Sequence, residues 1–225
     1  VADVAISHLW APLDPPPQHE HGDQSGTAVA RILELLVPLH LRRYESVRAV
    51  VHSRFGDLIR GRVDAVHLSG DGWQTRADLT ARRLTVAALE GAALNYGDLL
   101  TGKITLTTPA HGWGEVVFEQ HDFGNFLLYG PVAAVAPIVD GQRIVFERDG
   151  VEFDALARRV RFVGWVAGRR TPLVLEAGEG AGDRVSVHVP EGVTEDMSAE
   201  ALGAAMTHFF RTLSLDLAGV ELRFA

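Results

Sequence analysis

The alternation of hydrophobic and polar residues predicts a chain that is helical near its start and built of strands after it. A helix is predicted from Thr27 to Tyr44 because apolar residues recur there at helical spacing: Val29, Ile32, Leu33 and Leu36, widened by Leu35 and Leu39. Ser25 is a plausible N-cap. Pro38 should kink or end this helix near Val37, because proline lacks a backbone donor and clashes with the preceding turn.

From residue 45 onwards, the dominant pattern is an alternation of period two, which is typical of strands with one buried face. The clearest strands are marked by Val47/Ala49/Val51, Leu84/Val86/Ala88, Ile104/Leu106, Val116/Phe118, Ile144/Phe146, Val160/Phe162, Val185/Val187/Val189, Leu213/Leu215/Leu217 and Val220/Leu222/Phe224. Turn residues separate them at Gly70-Asp71-Gly72, Asp140-Gly141, Asp149-Gly150 and residues 178–183. Two further helices are predicted, from Asp122 to Tyr129 and from Ser198 to Arg211.

These elements predict an α+β fold, in which a long antiparallel sheet curves around a long amphipathic helix. Residues 25–225 are expected to form this one domain. Residues 1–24 contain three consecutive prolines, Pro15 to Pro17, followed by a polar run, and are predicted to form an extended arm.

Composition narrows the possible functions. The 225 residues are enough for a substantial core, and no apolar stretch approaches the ~20 residues of a membrane-spanning helix. A formal net charge of -8 argues against a general nucleic-acid binder. The absence of cysteine excludes disulfide scaffolds and thiol nucleophiles. The chain starts at Val1 and contains no targeting pattern, so we expect any targeting segment to lie outside it.

The chain also contains an internal repeat. Residues 55–63, from Phe55 to Val63, match residues 96–104, from Tyr96 to Ile104, and each copy leads through a strand to a Gly-Trp pair, at Gly72 and Gly112. The pattern predicts one helical turn that ends on glycine and leads into a strand. A phosphate-binding loop is disfavoured because the repeat lacks the Lys-Ser/Thr ending of that motif.

Four segments of the chain resemble the LmeA-like lipid-binding family of bacterial cell-envelope proteins, which has relatives in photosynthetic lineages. They are Leu58-Ile59-Arg60-Gly61-Arg62-Val63, Leu68-Ser69-Gly70-Asp71-Gly72-Trp73, Leu99-Leu100-Thr101-Gly102-Lys103-Ile104 and Asp122-Phe123-Gly124-Asn125-Phe126-Leu127. The similarity covers residues 25–225. It implies a tubular lipid-binding (BPI-like) fold, with an apolar groove for acyl chains, and a non-enzymatic role at a membrane in the periplasm, the cell envelope or a thylakoid.

Given this resemblance, we expect a phospholipid or another long lipophile as the ligand and no other cofactor. The groove is predicted to be lined by Val29, Ile32, Leu33, Leu36, Val66, Leu68, Val86, Leu106, Phe118, Phe146, Phe162 and Phe209. Small residues on the same faces, including Ala49 and Gly164, are expected to leave room for the ligand. A dozen buried methylenes would contribute on the order of 10 kcal/mol before ordering costs. Candidate phosphate contacts are Arg43, Arg83, Arg159 and Arg161.

Other activities find less support in the sequence. His19-Glu20-His21 offers three potential metal ligands, but on one short segment without evident supporting residues. No catalytic residues are assigned, although a cyclase or isomerase of a lipophilic substrate stays open. The main alternative is a scaffold subunit without a ligand, which docks on a membrane complex through the arm and through aromatic residues predicted to be exposed, Trp10 and Trp73.

Overall fold

The computed structural model of the chain describes residues 4–5, 24–53, 62–88, 92–94, 97–98, 106–108, 112–177, 185–190, 199–217 and 220–223. Its helices are α1 (Gln24–Leu36), α2 (Gln120–Leu128), α3 (Gly130–Ala134) and α4 (Ala199–Thr212), and a 3-10 helix spans Val37–His40. Its strands are β1 (Val4–Ala5), β2 (Leu41–Arg43), β3 (Ser46–His52), β4 (Arg62–Val63), β5 (Ala65–Thr75), β6 (Thr80–Ala88), β7 (Ala92–Leu94), β8 (Leu106–Thr108), β9 (Gly112–Phe118), β10 (Ile138–Val139), β11 (Gln142–Arg143), β12 (Val145–Phe146), β13 (Glu152–Asp154), β14 (Arg159–Val166), β15 (Arg169–Ala177), β16 (Val185–His188), β17 (Ser214–Leu217) and β18 (Val220–Arg223). The fold is α+β, as predicted.

All described strand pairs are antiparallel. The first sheet has the order β1-β9-β6-β5-β2, with β3 also paired to β5, and the second has the order β12-β14-β15-β16, with β13 paired to β14. A three-stranded sheet, β4-β7-β8, and the two hairpins β10-β11 and β17-β18 complete the set. Val4 and Ala5 of the predicted arm pair with Phe118 and Val117 of β9.

Helix α1 confirms the predicted effect of proline on the first helix. The α-helical hydrogen bonding stops at Leu36, and the chain continues as a 3-10 helix that has Pro38 in its first turn. Val29, Ala30 and Leu33 of α1 are buried against β3. Gly26 allows a close approach, because a Cβ atom there would lie 2.3 Å from the carbonyl oxygen of Val51.

The turn predicted at Gly70-Asp71-Gly72 is wrong, because these residues lie inside β5. Gly72 has a φ of +62°, at the point where the partner of β5 changes from β3 to β2. The glycine signal therefore marks an irregularity within a strand, where a positive φ is needed without a reversal of the chain. The reversal between β5 and β6 comes later, at residues 76–79.

The second sheet packs against α2 and α4 through a cluster rich in phenylalanine. Within this phenylalanine cluster, ring centroids lie 5.0–6.4 Å apart, and its seven fully packed rings are Phe118, Phe123, Phe126, Phe146, Phe162, Phe209 and Phe210. Aliphatic residues such as Leu173, Leu202 and Met206 fill the remaining space at 0% exposure. The interior of this half of the fold is thus occupied by its own side chains.

Helix α4 lies along β16, which is the last strand of the second sheet. The Thr207 hydroxyl accepts a hydrogen bond from the backbone N–H of Val187 at 2.8 Å, and the Arg211 guanidinium donates to the carbonyl of Val185 at 3.1 Å. Gly203 permits this proximity, since a Cβ atom there would lie 2.7 Å from the Val187 carbonyl oxygen. The helix therefore satisfies backbone groups on the side of β16 that faces away from β15.

The other two predicted helices are confirmed within two residues at each end, as α2 and α4. The short helix α3 is not anticipated by the sequence, because five residues carry too little periodicity to be recognised. Every predicted strand has a counterpart among the described residues, although Ile144, Val189 and Leu213 lie just outside their strands. Ile104 and Phe224 of the predicted strands lie outside the described residues. Of the internal repeat, only residues 62–63, in a strand, and 97–98, in a helical turn, lie within the described ranges.

Candidate functional site

The apolar face of the first sheet is the candidate site. The strand register places Ala49, Leu68, Val86 and Gly114 side by side in one row across four strands. The neighbouring row consists of Val47, Gly70, Leu84 and Val116. Because directly opposed residues in antiparallel strands point to the same face, these rows form one continuous apolar surface.

Different parts of the molecule cover the two ends of this surface. At the β3 end lies the α1 cluster, which consists of Val29, Ala30, Leu33, Ala49, Val51 and Val63. At the β9 end, Phe118 belongs to the phenylalanine cluster and Val116 packs against it. The surface thus connects the two hydrophobic cores of the described structure.

Between the two cores lies an apolar area that we call the open strip, formed by Leu84 and Val86 of β6 and by Gly114 of β9. Leu84 and Val86 are half-buried and belong to neither cluster, and Gly114 is exposed. Adjacent strands lie about 4.8 Å apart, so the distance from β5 to β9 across the strip is about 10 Å. This area is both apolar and accessible.

The twelve residues predicted to line a groove do not gather in one place. Val29 and Leu33 belong to the α1 cluster, and Leu36, Val66 and Leu68 pack against it. Phe118, Phe146, Phe162 and Phe209 belong to the phenylalanine cluster. Ile32 is 37% exposed on the outer side of α1, and only the backbone of Leu106 is described, in β8. Val86 alone lies on the open strip.

Two glycines on apolar faces show why small residues do not by themselves leave room. A Cβ atom on Gly70 would lie 2.1 Å from the indole nitrogen of Trp73, and one on Gly164 would lie 3.0 Å from Cγ2 of Ile144. The neighbouring side chains already occupy this space. Trp73 is itself buried, and its indole N–H donates to the Ser46 carbonyl at 3.0 Å. The prediction that Trp73 is an exposed docking residue is therefore wrong.

Three of the four candidate phosphate ligands are paired with carboxylates. Arg83 pairs with Asp71 at 2.8 Å and Arg161 with Glu152 at 3.6 Å, while Arg159 contacts Glu176. Arg159 and Arg161 are exposed on the outer face of the second sheet, away from the first. Arg43 is exposed and has no carboxylate partner in the part of the chain that the structure describes. None of the four lies on the open strip.

The opposite face of the first sheet carries a polar cluster around Asp71. Its carboxylate accepts hydrogen bonds from the Arg83 guanidinium and from the Ser46 hydroxyl, both at 2.8 Å. These two donors, together with the charges of Arg83 and Arg48, hold the pKa of Asp71 below its ordinary value of 3.8. The cluster links β3, β5 and β6 on the face away from α1.

We expect Asp71→Asn to lower stability at pH 7 and to lower it less at pH 3. A carboxylate with a lowered folded-state pKa stabilises the fold above its unfolded-state pKa, and this contribution disappears as the pH falls through the folded-state pKa. Because the pair is exposed, the effect at pH 7 should stay within about 1 kcal/mol and shrink in salt. Urea unfolding at both pH values measures it; an equal loss at both would contradict the assignment.

A separate cleft, not anticipated from the sequence, lies between α4 and β16. It has a volume of about 420 Å3 and is bordered by apolar residues together with His188, Glu200 and Thr207. The sequence feature that relates to this cleft is Gly203, which has no side chain at the point where α4 approaches β16. None of the predicted ligand residues borders this cleft.

Within the described ranges, no three or more His, Asp or Glu side chains come together as a metal site, and His19-Glu20-His21, which the sequence disfavours as a metal site, lies outside those ranges. No helix in the described part of the chain combines the length and the apolar character needed to span a bilayer. Comparison of the chain with protein-family models, with curated proteins and with solved structures gives no match.

Proposed function

We propose that this protein binds the hydrocarbon chain of a phospholipid or of a similar long lipophile on the open strip, without catalysing a reaction. The observation that carries the proposal is the accessible apolar area of Leu84, Val86 and Gly114 between two packed cores. An aliphatic chain laid along it would exclude water from Leu68 as well as from the strip. Each buried methylene contributes about 0.8 kcal/mol, so affinity does not require a polar contact.

The separation of polar and apolar faces on the first sheet favours this ligand class. Ser69, Asp71, Thr85 and Glu115 alternate with the apolar residues and therefore point to the opposite face. The three residues of the strip carry no charge, and hydrocarbon needs none. A phospholipid headgroup would extend beyond the strip, and Arg43 is the unpaired candidate to meet it.

The proposal includes a longer curved sheet around α1, which is the fold that the LmeA-like resemblance implies. It also includes a membrane location in the cell envelope or thylakoid. The support for the longer sheet is the strand order, because β4-β7-β8 repeats the order β5-β6-β9. Asp64 alone separates β4 from β5, and Val63 of β4 is buried in the α1 cluster. In this proposal, the three-stranded sheet continues the first sheet around α1.

Binding is tested by replacing Val86 with glutamate. A carboxylate on the strip must lose water when hydrocarbon covers it, so we expect the Kd of a fluorescent long-chain fatty acid to rise at least about tenfold. The same titration with a phospholipid labelled in its acyl chain tests the larger ligand. Native mass spectrometry of gently isolated protein should show lipid on the wild type and less on the variant.

The matched control is Val50→Glu, which places the same charge on the opposite face of the same sheet, at an exposed position. It should retain wild-type affinity. Circular dichroism and thermal unfolding establish that both variants are folded. Equal binding by Val86→Glu and the wild type, or no binding by the wild type, would reject the proposal in favour of the docking role without a ligand.

A further inference from the structure

One end of the first sheet combines exposed apolar residues with exposed arginines. There, the end of α1, the 3-10 helix, β2 and the turn at residues 76–79 meet: Leu41 pairs with Thr75, and the Arg76 guanidinium donates to the Leu39 carbonyl at 2.9 Å. The Arg42 guanidinium joins the Asp78 carboxylate across the same junction at 2.9 Å. These contacts fix the four segments as one surface.

Helix α1 is apolar on two sides. Its inner side is buried against β3, while Ile32 and Leu35, three residues apart, lie on its outer side, and Leu39 is exposed in the 3-10 helix that follows. Leu35 is 71% exposed and Leu39 is 59% exposed. A helix that needs only one core has a polar outer side, so this second stripe indicates a surface that contacts something apolar. We call Ile32, Leu35 and Leu39 the outer stripe.

Arginines surround the outer stripe. Arg31, Arg42, Arg43 and Arg76 are all exposed, and of these only Arg42 pairs with a carboxylate in the described residues. Three carboxylates lie near these arginines: Glu34 accepts a hydrogen bond from the backbone N–H of Ala49, Asp78 binds Arg42 and Gln74, and Glu45 lies beside Gly72. The four guanidinium groups at this end outnumber the three carboxylates, although the formal net charge of the whole chain is -8.

We infer that the outer stripe docks on a membrane surface that contains anionic phospholipid, with Leu35 and Leu39 entering the interface and the arginines contacting phosphate. This combination fits an anionic leaflet, because the apolar residues can enter the boundary of the acyl chains while the arginines contact the anionic headgroups. A second copy of this chain would bring arginine against arginine. The inference rests on the membrane setting of the proposed function but uses residues outside the open strip.

The test is flotation with vesicles of phosphatidylcholine alone and of phosphatidylcholine with phosphatidylglycerol. We expect wild-type binding to the mixed vesicles only, and a loss of at least about tenfold for L35E/L39E. R31Q/R43Q should weaken binding, and high salt should weaken wild-type binding in the same way, because both remove attraction to anionic headgroups. All four positions are exposed, so the variants should fold as the wild type does.

The control I138E/V145E places two carboxylates at exposed apolar positions near the second sheet, at 61% and 59% exposure, and should bind like the wild type. Fatty-acid titration without vesicles is measured in parallel: L35E/L39E should retain it if the open strip works independently. Wild-type binding to neutral vesicles alone, or unchanged binding by L35E/L39E, would overturn the inference. So would a wild-type dimer that L35E/L39E converts to a monomer without an effect on flotation.

Discussion

Phe123→Ala should lower the free energy of unfolding by about 3–5 kcal/mol, the range for phenylalanine removed from a packed core. Phe123 is 2% exposed, and its ring contacts five other rings at centroid distances of 5.9–6.4 Å. These partners come from β9, α2, β13, β14 and α4, so the cavity would border five elements at once. Because they belong to separate elements, they cannot all move inwards to fill it.

Urea unfolding followed by circular dichroism measures this loss. Leu156→Ala is the control, because Leu156 is 100% exposed and its truncation should change stability by less than about 0.5 kcal/mol. A loss of under 1 kcal/mol for Phe123→Ala would mean that the phenylalanine cluster is loosely packed. In that case its interior would again be a candidate for lipid, and the binding site would not be confined to the open strip.

Gly124→Ala should destabilise the protein by about 1–3 kcal/mol, although alanine is the better helix former. A Cβ atom at residue 124 would lie 2.2 Å from the backbone carbonyl oxygen of Arg148. That oxygen belongs to the main chain and cannot rotate away like a side chain. Helix α2 or the segment after β12 would therefore have to shift, disturbing the rings of Phe123 and Phe126 on either side.

A matched glycine follows six residues later. At Gly130, the first residue of α3, a Cβ atom would meet nothing within 4 Å, so Gly130→Ala should be neutral or stabilising by up to about 1 kcal/mol. The two substitutions are chemically identical and differ only in their surroundings. Thermal unfolding of both variants compares them, and equal Tm values would show that α2 does not approach Arg148 as closely as described.

Local patterns in the sequence predict the elements because they depend on neighbouring residues. The end of α1 follows from Pro38, and the β10-β11 hairpin follows from Asp140-Gly141, where both residues have a positive φ. Gly70-Asp71-Gly72 has equally strong turn chemistry but lies in a strand. There the deciding factors are the pairing of β5 with β3 and β6 and the hydrogen bond from the Trp73 indole to the Ser46 carbonyl, which are contacts between strands that a local pattern does not contain.

The site is harder to predict for the same reason. Alternation identifies which residues face inwards, so Phe146, Phe162 and Val86 all qualify as groove residues in the sequence. It does not distinguish a face covered by α4 from one left open between two cores. That difference arises from where α1 and α2 pack on the sheets, and it separates Val86 from the buried phenylalanines. Similarly, the sequence predicts Leu35 and Leu39 as part of a wide buried stripe. In the structure they are exposed, because β3 covers only one side of α1.

The position of α4 along β16 also affects how molecules of this protein meet one another at high concentration. An uncovered strand at the margin of a sheet recruits strands from other chains, which is a common first step towards fibres. Here Thr207 and Arg211 have already taken the outward-facing groups of Val187 and Val185, so an incoming chain would have to displace a helix first. Conditions that unfold α4 alone, rather than the whole domain, are therefore those under which we expect this protein to begin to aggregate.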